Sequence, residues 1–224
     1  MVKRSRAGDV IARSTAANQR AKSVISRIAR RIPIPETKII RTPIDTRIYG
    51  SGATATTQLV LNSPALGSDI DQRQGRSIKC VSVEMTLEYV LGGTVTEYDA
   101  GNWFLIWDKR PNGAFVSYSE VLETQLLLTR GHSILNEHAH PGRFVQLARG
   151  DWTVGIAGGW QQRVYRKISL GNRTTSFNAV SSQGNITQVD DGALLFFSSC
   201  SDKGTIFANG TQVRAMFKVK YLDA

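Results

Sequence analysis

Residues Ser77–Leu91 read SIKCVSVEMTLEYVL. Polar and apolar side chains alternate along this stretch with a period of two, the period of a strand that buries one face. Val81, Val83, Met85, Leu87, Tyr89 and Leu91 form the expected apolar face. Ile78, Cys80, Ser82, Glu84, Thr86 and Glu88 fall on the other. The same texture extends outward from it. Thr37–Tyr49 is rich in Ile and Thr and is interrupted by Pro43, which suggests an edge or a bend. Thr56–Leu61 follows. Trp103–Trp107, WFLIW, is a continuous apolar run, as expected of a buried strand. Phe144–Ala148, Trp152–Ile156, Gln162–Leu170, Ala193–Cys200 and Gln212–Leu222 are further strand candidates.

Between these runs lie turn signals: Gly50–Gly52, Gly92–Gly93, Pro111–Gly113, Gly158–Gly159 and Asn209–Gly210. Helical periodicity is scarce after residue 37. Ser119–Leu127 is expected to be one short helix and Ser68–Gln74 a helical turn. Many short strands with few helices predict an all-β sandwich, barrel or jelly roll. No solenoid or propeller period is present.

The charge is concentrated at one end. The 224-residue chain has a formal net charge of +10 and a pI near 9.9. Residues 1–47 carry twelve Lys and Arg against three acids, a net of +9, so the rest is +1. A near-neutral body with a cationic N-terminal segment reads as a polyanion-binding arm. A merely solubilising tail is the bland alternative, and solubility does not call for charge of one sign. Within the arm, Val24, Ile25, Ile28 and Ile32 recur at helical spacing, so 16–31 is expected to form a short amphipathic helix, at least when bound to an anion. Pro33 and Pro35 end it. The expected division is an arm over 1–36 and a shell domain over 37–224.

A catalytic reading finds no support in the sequence. His132, His138 and His140 share one loop, but only Glu137 is near, so no metal-ligand set is complete. There is no G-x-S-x-G elbow and no Walker loop. The acid pairs Asp69/Asp71 and Asp190/Asp191 sit in turn-like sequence, and turn formation accounts for them. Trp103 and Trp107 are expected in the core and Trp160 at the surface. Cys80 and Cys200 lie in apolar runs and are expected to be buried free thiols. No secretory h-region and no membrane-length apolar run is visible, so the expectation is a soluble, intracellularly made protein that is not an enzyme and needs no cofactor.

Three segments carry a family resemblance. Gly67–Gly75, GSDIDQRQG, leads into the long alternating strand, and this resembles the coat proteins of satellite tobacco necrosis virus and its relatives. Phe104–Gly113, FLIWDKRPNG, with Val116–Leu122 after it, resembles the geminivirus coat proteins. Gly192–Tyr221 is similar to the last two strands of the same proteins. Asn136–Gly171 departs from both families, and the arm is less densely basic than in many geminivirus proteins.

The resemblance implies an eight-stranded viral jelly roll that self-assembles into a small icosahedral T=1 shell of 60 subunits or a multiple. It implies a single-stranded genome, DNA ahead of RNA, and a location in the virion and, during infection, the host nucleus. Lys3, Arg4 and Arg6, or Arg27, Arg30 and Arg31, would then serve a nuclear import receptor. Asp223 stands where satellite-type relatives hold calcium. The expected nucleic-acid-binding residues are Lys3, Arg4, Arg6, Arg13, Arg20, Lys22, Arg27, Arg30 and Arg31, which pair with phosphates without reading bases. The alternatives are a non-capsid nucleic-acid-binding β-sandwich and a viral movement or nuclear-shuttle protein.

Overall fold

Alternating and continuously apolar runs both become strands, and the two kinds occupy different sheets. The structure is a computed structural model that describes residues 18–19, 36–48, 56–92, 98–123, 134–136, 140–155, 159–178, 184–200 and 211–223. The chain divides into two units, 1–36 and 37–224. Of the first, only Asn18, Gln19 and Glu36 are described, so the amphipathic helix expected over 16–31 lies almost wholly outside the described residues.

In the second unit, β1 is Thr37–Ile48, β2 Thr56–Val60, β3 Ser77–Val90 and β4 Tyr98–Asp108. A one-turn helix α1, Tyr118–Val121, leads into the short strands β5, Leu122–Glu123, and β6, Ile134–Leu135. Then come β7, Phe144–Gly155, β8, Gln161–Phe177, a 3-10 turn at Ile186–Gln188, β9, Val189–Asp191, β10, Ala193–Cys200, and β11, Thr211–Asp223. One sheet has the order β1-β11-β3-β8-β9 and the other β2-β10-β4-β7, with every pairing antiparallel. With the eight long strands lettered B to I in chain order, these are the B-I-D-G and C-H-E-F sheets of a jelly roll. The fold is an all-β jelly-roll sandwich.

Several expected boundaries move. The candidates Phe144–Ala148 and Trp152–Ile156 fall in one strand, Phe144–Gly155, with Ile156 outside the described residues, and WFLIW lies in the second half of an eleven-residue strand. Of the helix expected over Ser119–Leu127, the described residues form the turn Tyr118–Val121 and then turn extended at Leu122 to pair with Leu135, and 124–127 lie outside the described residues. Ser68–Gln74 holds a turn closed by Gln72 N–H to the Asp69 carbonyl at 3.0 Å, not a helix. Asp190 and Asp191 are strand residues of β9, with both side chains exposed. Pro43 lies on the edge strand β1, where a missing donor does little harm.

β3 does not keep one phase. Cys80 faces Tyr221 while Ser82 faces Lys220, so Val81 is an extra residue in the ladder to β11. On the other side, Cys80 faces Arg173 and Ser82 faces Ser169, leaving Leu170, Gly171 and Asn172 opposite Val81. Gly171 (φ 61) and Asn172 (φ 57) take the left-handed conformation that this excursion requires. The bulge shifts the pleat by one. Ile78 and Cys80 therefore join Val83, Met85, Leu87 and Tyr89 in the core, all fully buried, while Val81 is only half-buried. This corrects the face expected for Ile78, Cys80 and Val81.

β4 and β10 are buried on both faces. On the inner face Trp103, Leu105, Phe196 and Ser198 meet β3 and β11, with Phe196 and Phe217 ring centroids 4.7 Å apart and the Tyr89 hydroxyl 3.0 Å from Ser198 Oγ. Trp152 stacks on Tyr89 at 4.4 Å. The outer face is covered by the connection between β4 and β7. Ser117 caps α1 through a capping box, its N–H donating to Glu120 Oε2 at 2.8 Å. Tyr118 then lies edge-on to Phe104 and Phe197 at 6.5 and 6.4 Å. Arg143 holds the far end, donating from Nε and Nη2 to buried Asp108 at 2.9 and 2.8 Å. Trp103, Trp107 and Trp152 are buried and Trp160 is 57% exposed, as the sequence predicts for Trp103, Trp107 and Trp160. Both cysteines are buried free thiols.

Candidate nucleic-acid interface

The nine arm cations expected to bind nucleic acid, Lys3, Arg4, Arg6, Arg13, Arg20, Lys22, Arg27, Arg30 and Arg31, all lie outside the described residues. The charge of the β-sandwich is where structure adds to sequence. The outward face of the B-I-D-G sheet takes every second residue of four paired strands. Its charged positions are Arg41 and Arg47 on β1, Lys79 on β3, Arg163 and Lys167 on β8, and Arg214, Lys218 and Lys220 on β11. The carboxylates among them are Asp45, Glu84 and Glu88. On these four strands eight cations against three anions give +5, and the edge strand β9 adds the exposed Asp191, paired with Ser176.

Register sets the charges in lanes that cross the strands. One lane runs Asp45, Arg214, Glu88, Arg163. Arg163 is 2.8 Å from Glu88, and Arg214 is 3.7 Å from Glu88 and 3.8 Å from Asp45. A second lane, four residues further along each strand, runs Arg41, Lys218, Glu84, Lys167. Glu84 is shared by Lys167 at 3.1 Å, Lys220 at 3.5 Å and Lys218 at 3.7 Å. Between the two lies an uncharged lane of Pro43, Met216, Thr86 and Tyr165, in which Met216 is 46% and Tyr165 61% exposed.

Glu84 and Glu88 are held in the ionised form. A hydrogen bond from Lys167 holds Glu84 below its ordinary range, helped by the charges of Lys167, Lys218 and Lys220. A hydrogen bond from Arg163 does the same for Glu88, with Arg214 beside it. Glu84 organises three cations without neutralising them all, whereas Asp45 and Glu88 balance Arg214 and Arg163 in the other lane. The surplus positive charge is available to a polyanion, and solvent exposure makes that attraction salt-sensitive.

His132 and His138 lie outside the described residues, and the His140 ring sits edge-on to Phe144 at 5.7 Å. No group of three metal-ligating side chains occurs among the described residues. Asp223, the position the resemblance links to calcium, pairs with buried Lys38 at 2.9 Å, and Lys38 also donates to the Gln72 carbonyl at 2.8 Å. The lysine already holds the place a cation would take. Among the described residues no helix is long and apolar enough to cross a membrane.

The charged face was missed by summing charge along the chain. Its signal is local: Arg163, Tyr165 and Lys167, and Arg214, Met216, Lys218 and Lys220, recur at a spacing of two. Only the register brings the two sets beside each other.

No protein-family model matches the chain, and no curated protein does. Solved structures similar to it include a chain of Desmodium yellow mottle tymovirus, at 12% identity and TM-score 0.32 over 86% of this chain and 93% of that one. The decameric BFDV capsid protein is similar at 12% identity and TM-score 0.31, over 84% and 97%. A semi-empty virus-like particle of the nodavirus of the giant freshwater prawn Macrobrachium rosenbergii is similar at 9% identity and TM-score 0.33, over 86% and 95%. Identities and TM-scores this low carry no argument about activity or fold, and the strand order itself defines the fold.

Proposed function

We propose that the chain is the coat protein of a small non-enveloped virus. In this reading the jelly roll builds the shell and residues 1–36 bind the packaged nucleic acid. The observation that carries it is the joining of a B-I-D-G/C-H-E-F sandwich to a segment that holds most of the net positive charge. Jelly rolls also serve as sugar-binding and cupin domains. A cupin uses the space between its sheets for a metal or ligand. Here that space is filled by Trp103, Trp152, Tyr89, Phe196 and Phe217, all essentially inaccessible to solvent. A sandwich with a solid core acts through its surfaces, as a shell subunit does.

The arm cations bind phosphates by counterion release and so without sequence preference. Many arms in one particle add avidity that one arm lacks. The resemblance to geminivirus coat proteins favours single-stranded DNA over RNA, a T=1 shell of 60 subunits and nuclear import through Lys3, Arg4 and Arg6 or Arg27, Arg30 and Arg31. The test is negative-stain electron microscopy of the full-length protein, purified without nuclease, with its 260/280 nm absorbance ratio. Uniform round particles with a raised ratio are expected, and nuclease sensitivity then separates DNA from RNA. A small species that binds nucleic acid but closes into no shell at any salt or pH overturns the coat-protein reading in favour of a binding module.

A further inference from the structure

We infer that the outward B-I-D-G face is a second nucleic-acid site, on which single-stranded nucleic acid stacks a base against Tyr165 while its phosphates pair with Arg163 and Lys167. The inference rests on the reading above for its ligand, and adds a site in the shell domain that uses no arm residue.

Three observations converge on it. First, β8 presents Arg163, Tyr165 and Lys167 on one face with nothing charged between them. Each cation is two strand residues from the ring, about 6.6 Å. That spacing is comparable to the step between phosphates of an extended single strand, so one base and its flanking phosphates fit the three side chains together. Second, the ring is available. Tyr165 is 61% exposed, and the Arg163 and Lys167 side chains are 73% and 57% exposed. β9 pairs with β8 only at Ser176 and Phe177, so the strand carrying these groups is otherwise a sheet edge. Third, a shallow depression lies over Thr86, lined by Met216, Arg214 and Arg163 and by the carboxylates Asp45 and Glu88. Thr86 is the register partner of both Tyr165 and Met216. A small side chain between two large, exposed, polarisable ones leaves room for a planar base.

A charged surface alone would accept any polyanion, including an acidic lipid surface. The uncharged lane, lying between a lane of net charge +2 and one whose acids and bases balance, is what selects nucleic acid, because stacking on an aromatic ring needs a base. No side chain here offers a paired donor–acceptor edge to the base, so one base is taken as readily as another.

The test uses the full-length chain and labelled oligothymidylate, with inorganic polyphosphate and anionic phospholipid vesicles as base-free probes. Tyr165→Ala is expected to weaken oligothymidylate binding by about 5-fold or more and to leave polyphosphate binding unchanged. Tyr165→Phe is expected to bind as the parent does. Arg163→Gln with Lys167→Gln is expected to lower the slope of log K against log salt by about 0.7 for each phosphate that is no longer paired. Glu84→Gln removes the shared carboxylate and is expected to tighten binding. Ultraviolet cross-linking should place thymidine on Tyr165 in the parent. Unchanged oligothymidylate affinity for Tyr165→Ala, with no cross-link between residues 163 and 167, overturns the inference. So does a Tyr165→Ala loss of equal size on polyphosphate or vesicles. Particle formation is scored separately: shells with an inert Tyr165 refute only this site, and a Tyr165-dependent protein that forms no shells refutes only the coat-protein reading.

Discussion

Trp103 and Trp152 fill the sandwich by lying against glycine. Gly150 is the register partner of Trp103, and Gly101 that of Trp152. A Cβ on Gly101 would stand 1.9 Å from the Ser199 carbonyl oxygen and 2.6 Å from the Trp152 ring. Neither neighbour is the free end of a flexible side chain. Gly101→Ala should therefore lower stability by about 3 kcal/mol, read as a shift in the denaturant midpoint. Asn62 makes a similar case for polar groups. It donates to Thr175 Oγ1 at 2.6 Å and the Gly192 carbonyl at 2.8 Å, and accepts from the Leu194 N–H at 2.7 Å. Asn62→Leu strands those groups without water and should cost about 3 kcal/mol. Burial pushes the Cys80 thiol up to about 11, against hydrogen bonds to Thr175 and Asn62 that act the other way. A thiol reagent at pH 8 should label neither cysteine in the native protein and both after denaturation. Labelling of Cys80 in the native state would show that this wall of the core opens. The burial of both thiols was legible in the sequence from their apolar neighbours. The glycine–tryptophan reciprocity was not, because its partners lie 47 and 51 residues apart and meet only in register.

At the scale of elements, the connection from β4 to β7 converts a two-layer sandwich into three layers over the C-H-E-F sheet. This is why WFLIW and ALLFF are apolar at every position: they have no solvent face. The connection is held at two points. Arg143→Ala leaves Asp108, whose side chain is 2% exposed, with a charge and no cation, and should cost about 3–5 kcal/mol. Replacing both residues with apolar ones of similar size should cost much less, and a double-mutant cycle reads the difference. At the other point, the Ser117 backbone N–H holds Glu120 below its ordinary range. A carboxylate whose pKa is lowered by folding stabilises the fold above its unfolded value, about 4.3. That contribution is lost as pH falls through the lower folded value. Glu84 and Glu88 are lowered too and act in the same direction. The thermal midpoint should thus be level from neutrality to about pH 5 and fall below about pH 4, with a shallower fall in Glu120→Gln. A midpoint that rises on acidification would refute this account of the cap. The helix itself was only partly legible. A short helix was expected from Ser119, but its cap at Ser117 was not, and pairing of Leu122 with Leu135 ends it after one turn.

At the scale of the molecule, charge is segregated twice, once along the chain and once across the fold. Replacing the nine arm cations, Lys3 to Arg31, with Gln would take the formal charge from +10 to +1. The full-length variant should retain far less nucleic acid, with a shallower dependence of binding on salt. Retention at unchanged salt sensitivity would remove the arm from the mechanism. The contribution left in such a variant is the one assigned to the B-I-D-G face. The sheet edges are also guarded by charge: β1 carries Pro43 and Arg41, and β8 carries Arg163, Arg166 and Lys167, features that discourage edge-to-edge aggregation.

Local alternation, turn residues and the uneven spread of lysine and arginine determined that this is an all-β protein with a cationic N-terminal segment, because those properties depend only on neighbours in the chain. Ala193–Cys200 as a strand, the edge position of Pro43 and the exposure of Trp160 follow from the same local information. The tertiary structure alone decided the rest. One extra residue at Val81 moves Ile78 and Cys80 from the solvent face to the core, since side chains in a strand alternate and a shift of one reverses them. Register between strands distant in sequence decided that Arg214, Glu88 and Arg163 share one lane, that Lys218, Glu84 and Lys167 share another, and that Tyr165 lies between them. A body whose charges nearly cancel in sum acquires a positive face because pairing sorts side chains by position in space, which the order of residues along the chain does not display.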